Sequence, residues 1–338
     1  MTIKDIARLS GVGVSTVSRV LNDRPDVSEE SRRRVLQVIA EYNYLPNNSA
    51  RSLVRTKSDA VGLVVRGVQN PFYTGIIRAI ERDLDAADCC TMVMRQIGSC
   101  EDEIKCGAMM EREKRLQGII FLGGRSDYSP ADTALLNVPF VCCSYTNTYG
   151  TLDPTKYSSV SIADEQEAYR AVMDLAQKGH RRIAALSTDP RDWSIAQLRC
   201  SGYARALHDL GLSLEDGEII RADDFTIESA YRAVTERLKR PADFTAIFAI
   251  SDDMAIGAMR ALRESGRSIP EDCSIIAIDG LTVSEYIYPM LTTLCQPTDE
   301  MGAKSVEILM SVIRGGAHRH QILPTTLRTG QSVRDLTR

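Results

Sequence analysis

Side chains able to do covalent or metal chemistry are present in this sequence but are not spaced for it. A thiol can act as nucleophile, metal ligand or half of a disulfide, and each role carries a spacing or counting signature. The nine cysteines (Cys89, Cys90, Cys100, Cys106, Cys142, Cys143, Cys200, Cys273 and Cys295) are odd in number, form no CxxC pair and sit mostly inside apolar runs. They are expected to be buried, reduced thiols that pack as small hydrophobes. The four histidines, His180, His208, His318 and His320, stand in polar, helix-end or loop contexts and read as surface or capping residues. GLVVRG, after the first apolar run of the larger part of the chain, lacks the GxGxxG spacing, and neither GxSxG nor HExxH occurs. No cofactor, no metal and no catalytic residue is expected, and an enzyme is disfavoured. What remains is chemistry that binds without reacting. In VSTVSRVLN the apolar Val17, Val20 and Leu21 share one helical face, which leaves Ser15, Ser18 and the forked guanidinium of Arg19 on the others.

The elements that hold these residues are short and locally specified. Thr2-Ile3-Lys4-Asp5 fits a capping box, followed by a helix that buries Ile3, Ile6 and Ala7 with Leu9 beside them. Ser10-Gly11-Val12-Gly13 breaks it, and a second helix begins near Val14, so the two make a helix-turn-helix pattern. A third helix starts after Ser28, carries Glu29 and Glu30 in its first turn, and turns Val35, Leu36, Val38, Ile39 and Tyr42 inward. Pro46 ends it. Charge supports a separate module. Residues 1–58 carry ten basic and six acidic side chains, net +4, whereas the other 280 carry 31 and 39, net −8. The overall −4 hides a basic head on an acidic body, and a basic module is the electrostatic footprint of a nucleic-acid partner.

TIKDIARLSGVGVSTVSRVLN, with VSEESRRRVLQVIAEYNYLPNNSARSL after it, resembles the N-terminal domain of the LacI/GalR family of bacterial transcriptional regulators without a gap over residues 2–53. The resemblance implies that Val14, Ser15 and Arg19 present side chains to base edges in the major groove, and that Thr16 and Ser18 meet phosphates. It places Asn22, Asn48, Arg51 and Leu53 among the DNA contacts as well. The chemistry agrees: Arg19 can pair with O6 and N7 of guanine, and Val14 offers apolar contact, for instance to a thymine methyl. Gly13 departs from the family, which usually has a capping Ser there; Gly caps acceptably but gives up a hydroxyl. Residues 46–58 are similar to the family's hinge helix, in which Leu53 matches a leucine wedged into the minor groove of the bound operator.

From Ala60 onward apolar runs alternate with amphipathic stretches: AVGLVV, helix 72–87, TMVM, helix 101–115, LQGIIFL and VPFVCC, then helix 164–178, RRIAALS, helix 194–210, TAIFAI, helix 253–265 and SIIAID. Such alternation means parallel sheets covered on both faces, and its repetition means two lobes with a cleft at the strands' carboxyl ends. NPFY, QKGHRRIA, RCSGY, SDDMAIGAM and LTTLCQP extend the resemblance to the family's periplasmic-binding-protein-like effector domain. The fold class expected is α/β, a helix-turn-helix headpiece plus a two-lobed effector domain of two doubly wound parallel sheets. By position the resemblance puts Phe72, Tyr73, Tyr145, Trp193, Arg199, Phe225, Asp252 and Asp279 in the cleft. Arg199 and Asp279 suit vicinal hydroxyls and the aromatic faces suit a sugar ring.

The expected division is a DNA-binding domain over 1–45, a hinge over 46–58, a first lobe of 59–160 and 292–320, and a second of 161–291 and 321–338. Three crossings, near 160, 291 and 321, would form a hinge between lobes. The resemblance implies a regulator, and more narrowly a repressor, of a carbohydrate operon, binding pseudo-palindromic double-stranded DNA as a homodimer and answering to a small effector. A sugar or sugar derivative is favoured, and the single acid and Gly of IAIDGL incline toward a neutral one. The alternative is a small-molecule binding protein, for a sugar or nucleoside, whose helical module has no DNA-reading role. Charges at Lys4, Asp5 and Arg8, where a leader peptide would be apolar, suggest a cytoplasmic protein, and no window nears the roughly 18 apolar residues of a membrane helix. No leucine heptad follows Arg328, so a tetramer built that way is not expected.

Overall fold

Local signals start and stop the first helices. The Thr2 amide donates to the Asp5 carboxylate at 2.8 Å and the Asp5 amide donates back to the Thr2 hydroxyl at 3.4 Å, a closed capping box that begins α1 (Ile3–Ser10). Gly11 ends it at φ +64°, a conformation that costs a residue with a Cβ roughly 1 kcal/mol or more. The Gly13 carbonyl accepts the Thr16 and Val17 amides and opens α2 (Val14–Leu21), and the Ser28 hydroxyl caps α3 (Glu29–Glu41). The computed structural model describes residues 1–21, 24–42, 44, 60–67, 70–87, 91–98, 101–189, 194–213 and 218–338. It divides into two compact units, Met1–Ser58 and Asp59–Arg338.

The small unit is built around Ile6, Ala7, Val17, Val20 and Val35. Leu9, Leu36 and Tyr42, expected inside, are 41%, 49% and 47% exposed. The packed stripe of α3 is narrow: Val38 and Ile39 are half-buried along it, and Leu36 lies a further 100° around the helix from Val35. With so small a core, helix caps worth about 1 kcal/mol each are a substantial share of stability.

The larger unit holds two six-stranded sheets. The first has the order β11-β5-β4-β3-β1-β2, from β1 (Ala60–Arg66), β2 (Thr91–Ile97), β3 (Gly118–Leu122), β4 (Phe140–Cys143), β5 (Ser158–Ser161) and β11 (His320–Ile322). The second has the order β12-β10-β9-β8-β6-β7, from β6 (Ile183–Thr188), β7 (Glu218–Ala222), β8 (Ala246–Ala249), β9 (Ser274–Asp279), β10 (Thr292–Cys295) and β12 (Thr326–Arg328). All pairings are parallel except β10 with β12. The central strands β1, β3, β4, β6, β8 and β9 read as largely apolar, buried runs because helices cover both faces. In the first lobe α4 (Tyr73–Ala86) packs on α12 (Thr298–Ile313), and α5 (Glu103–Lys114) lies against β1 and β3. In the second, α7 (Asp164–Gln177) packs on α8 (Ile195–Asp209), and α9 (Ile227–Leu238) on α10 (Asp252–Glu264). One-turn helices α6 (Pro130–Thr133) and α11 (Val283–Tyr286) complete the set of described helices.

Two of the three crossings fall later than expected. Thr292–Cys295 pairs with β9 and extends the second sheet, so the chain leaves that lobe after Cys295 and not at 291. His320–Ile322 pairs with β5 in the first sheet, which moves the return from 321 to the stretch between Ile322 and Thr326. QILPTTLR therefore divides between the lobes: Pro324 cannot donate to a ladder, and the strand breaks there. The first crossing lies between Ser161 and Asp164.

His180 departs from its surface reading. It is 1% exposed, with Nδ1 2.9 Å from the Thr245 hydroxyl and Nε2 3.2 Å from the Arg334 carbonyl, and burial lowers its pKa. The six described cysteines are free thiols; Cys106, Cys142, Cys143 and Cys273 are buried, and burial pushes Cys142, Cys143 and Cys273 up to about 12.

Candidate functional site

The surface of α2 presents Val14, Ser15 and Arg19 to solvent, leaves Thr16 and Ser18 half-exposed, and buries Val17 and Val20. The i, i+3 spacing of the two valines turns the intervening residues outward. Arg19 lies 3.7 Å from Asp26, both side chains more than half exposed, so the pair is weak and the guanidinium is free to exchange partners. Asn22, Asn48, Arg51 and Leu53 lie outside the described residues.

In the larger unit a cavity of about 320 Å³ opens where the carboxyl ends of both sheets meet. The first lobe contributes Arg66 after β1, Gly98 after β2, Gly123 and Gly124 after β3, and Ser144 and Tyr145 after β4, with Asn70 and Tyr73 from the start of α4. The second contributes Ser194 and Ile195 at the start of α8, Asp224, Phe225 and Thr226 before α9, and Asp253 in the first turn of α10. Gly124 is required by close approach: a Cβ there would fall 2.5 Å from the Tyr145 ring and 2.8 Å from Glu103 Oε1. Asn70 accepts the Phe72 amide at 3.0 Å, which fixes the turn that starts α4.

The expected cleft residues separate into two groups. Tyr73, Tyr145 and Phe225 line the cavity. Phe72 does not: it is 4% exposed and packs into the first-lobe core, because helical geometry sends it away from its neighbour Tyr73. Asp252 is fully buried and engaged elsewhere. Its carboxylate accepts the Leu281 amide and the Ser284 hydroxyl at 2.7 Å each and the Thr293 hydroxyl at 2.5 Å, tying α10 to β10 and to the loop after β9. Trp193 lies outside the described residues.

Arg199 and Asp279 also stand behind the lining. Arg199 is 1% exposed; Nε donates to Asp164 at 2.8 Å, Nη1 donates to the Ile250 carbonyl and sits 3.5 Å from Asp279. Asp279 accepts from Gln296 Nε2 at 2.8 Å, and burial, opposed by Arg199, pushes its pKa up to about 8. Its φ of 148° is a conformation L residues rarely adopt, held here by the surrounding bonds. Neither Arg199 nor Asp279 lines the cavity. Asp164 follows the first crossing and Gln296 the second, so this network is anchored on two of the three inter-lobe strands.

Arg66, Asn70, Ser144, Asp224 and Asp253 line the cavity and were not singled out from sequence. Asn70 and Asp253 stand inside strings already noticed, NPFY and SDDMAIGAM, one residue or two from those chosen. Ser144 carries no motif, and its φ of +68° comes from the end of β4.

A helical DNA-reading unit joined to a two-lobed periplasmic-binding-protein-like unit defines a class, and comparison with known proteins places the chain in it. Residues 2–47 match the family "Bacterial regulatory proteins, lacI family", and residues 172–333 match "Periplasmic binding protein-like domain". The chain is 39% identical over 329 residues to the HTH-type transcriptional regulator MalR of Clostridium butyricum, covering 97% of each. A lac repressor dimer bound to operator and the anti-inducer ONPF superposes with a TM-score of 0.83 at 26% identity, covering 99% of both chains. A complex of the transcriptional regulator CelR with cellobiose superposes at 0.70 with 30% identity, covering 98% and 99%. The chain belongs to the LacI family of bacterial regulatory proteins and is a DNA-binding transcriptional regulator. Among the described residues no helix is long and apolar enough to cross a membrane.

Proposed function

We propose that the protein is a cytoplasmic repressor of a carbohydrate-utilisation operon, released from or recruited to a pseudo-palindromic operator by a sugar held in the inter-lobe cavity. The observation that carries the reading is that cavity, built from both lobes at the carboxyl ends of two parallel sheets, where ligands of such folds bind. Val14, Ser15 and Arg19 contact base edges, with Thr16 and Ser18 on phosphates; Tyr73, Tyr145, Phe225, Asp224 and Asp253 contact the effector. Arg199 and Asp279, with Asp164 and Gln296, sense closure through the inter-lobe strands. Sugar binding biases a rotation of one lobe on the other, and a difference in sugar affinity between the two arrangements becomes a difference in operator affinity. A homodimer matches the two-fold symmetry of a pseudo-palindrome. The relatives' printed names, a MalR regulator and a cellobiose-bound CelR, support a saccharide effector and a regulatory rather than catalytic role.

Fluorescence anisotropy with a labelled pseudo-palindrome tests this reading. Specific binding is expected, weakening steeply as salt rises and changing when a sugar is added. Equal affinity for a random duplex at low salt, with no response to any sugar, refutes it.

A further inference from the structure

Asp253 is an acid without a partner among the described residues. It is 9% exposed and lines the cavity, and it makes no hydrogen bond or ion pair with any described residue. Burial and the adjacent Asp252 push its pKa up to about 6, which leaves it mostly ionised at neutral pH. Across the cavity the Tyr145 hydroxyl is buried too, and its neighbour there is the Cys142 thiol, a weak hydrogen-bond partner. The cation that lines the cavity among the described residues, Arg66, already lies 3.7 Å from the fully buried Glu103 carboxylate. The helix N-termini at the cavity would ordinarily favour an anion. Here Asp253 stands in the first turn of α10, and Asp224 accepts the Thr226 amide at the start of α9, so two of the four positive ends at the cavity are already faced by carboxylates, while α4 and α8 have no acid in their first turns.

We propose that Asp253, with Tyr145 opposite, selects an uncharged polyhydroxylated effector and rejects its phosphorylated counterpart. The proposal rests on the sugar reading above and adds the charge class of the sugar and the residues that set it. A sugar hydroxyl has a proton to donate to the Asp253 carboxylate and lone pairs for the Tyr145 hydroxyl, a stronger acceptor for it than the Cys142 thiol. A phosphate has at most one proton to give and brings negative charge toward the buried Asp253, with a weaker, solvent-screened repulsion from the exposed Asp224 beside it. Discrimination of this kind comes from the repulsive element as much as from the attractive one.

The test uses the full chain, isothermal titration and thermal shift with matched probes: glucose and glucose 6-phosphate, ribose and ribose 5-phosphate, maltose and maltose 6′-phosphate. At least one uncharged sugar is expected to bind, with its phosphorylated partner at least about tenfold weaker, a gap of roughly 1.4 kcal/mol. Asp253→Asn should weaken the uncharged sugar and narrow that gap, while Tyr145→Phe weakens the sugar and leaves the ratio unchanged. A phosphorylated probe that binds as tightly as its parent and changes operator affinity overturns the charge selection and leaves the sugar-responsive regulator standing. A ratio unmoved by Asp253→Asn overturns it as well. No binding by any probe of either class removes the sugar reading and this inference together.

Discussion

The helical unit keeps its chemistry on the outside, and the α/β unit keeps it inside. Val14, Ser15 and Arg19 are exposed on α2, above a core of five side chains, whereas Arg199, Asp279, Asp253 and Tyr145 are each at least nine-tenths buried. A duplex is larger than the unit that reads it and must be met on an open face; a small solute has to be enclosed before polar groups can bind it selectively against water. The consequence is a difference in coupling. Polar residues on the open face are nearly independent of stability, and those in the enclosed site are part of it.

The largest expected effect lies in the enclosed site. Arg199→Met should destabilise the larger unit by about 3–5 kcal/mol in urea denaturation, because Asp164 is left buried without its cation and the Ile250 carbonyl without its donor. A loss under about 1 kcal/mol would show that the network is not coupled to the fold. Gly124→Ala comes next. Its Cβ has no room beside Tyr145 and Glu103, so a loss of about 1–3 kcal/mol and abolished sugar binding are expected by melting and titration. On the open face Arg19→Ala should cost about 1–3 kcal/mol of operator discrimination in anisotropy while leaving the melting temperature unchanged. A drop in stability of similar size would break the comparison.

Two smaller effects sharpen it. Asp253 is expected to accept sugar hydroxyls as a carboxylate, so sugar affinity should rise with pH up to pH 6, by at most about tenfold per unit, and level off above it. The sign follows from the raised pKa: protonation below 6 removes the charge and turns one acceptor oxygen into a donor, and a bound donor favours the charged form. Asp253→Asn should remove that step from a pH series of titrations. Gly13→Ser should stabilise the small unit by a few tenths of a kcal/mol, since the position opens α2 and a new Cβ meets nothing nearer than 3.6 Å.

Much of the fold was legible because buried parallel strands read as unbroken apolar runs and helices as amphipathic ones. β5, with the sequence SSVS, and β7, EIIRA, were not legible; the first is polar yet wholly buried, and the second is short and mixed. β10 was misplaced in the first lobe because its burial comes from pairing with β9, a contact no local pattern encodes. Within the site, Phe72 and Tyr73 are adjacent, as are Asp252 and Asp253. A helix turns by about 100° per residue, so in each pair the orientation of the whole helix decides which member faces the cavity.

Interactions between residues three or four positions apart were set by the chain alone. The Thr2–Asp5 box, the Gly11 turn, the Ser28 cap and the spacing of Val17 and Val20 specify the helical unit and its outward face before any tertiary contact forms. The enclosed site is different in kind. Arg199 meets Asp164 across 35 positions and Asp279 across 80, and the cavity is lined from Arg66 to Asp253. The sequence supplied those residue types, but burial is a property of the assembled lobes. Only that assembly decided that Asp252 was engaged by protein donors while Asp253, without a partner among the described residues, was left facing the cavity.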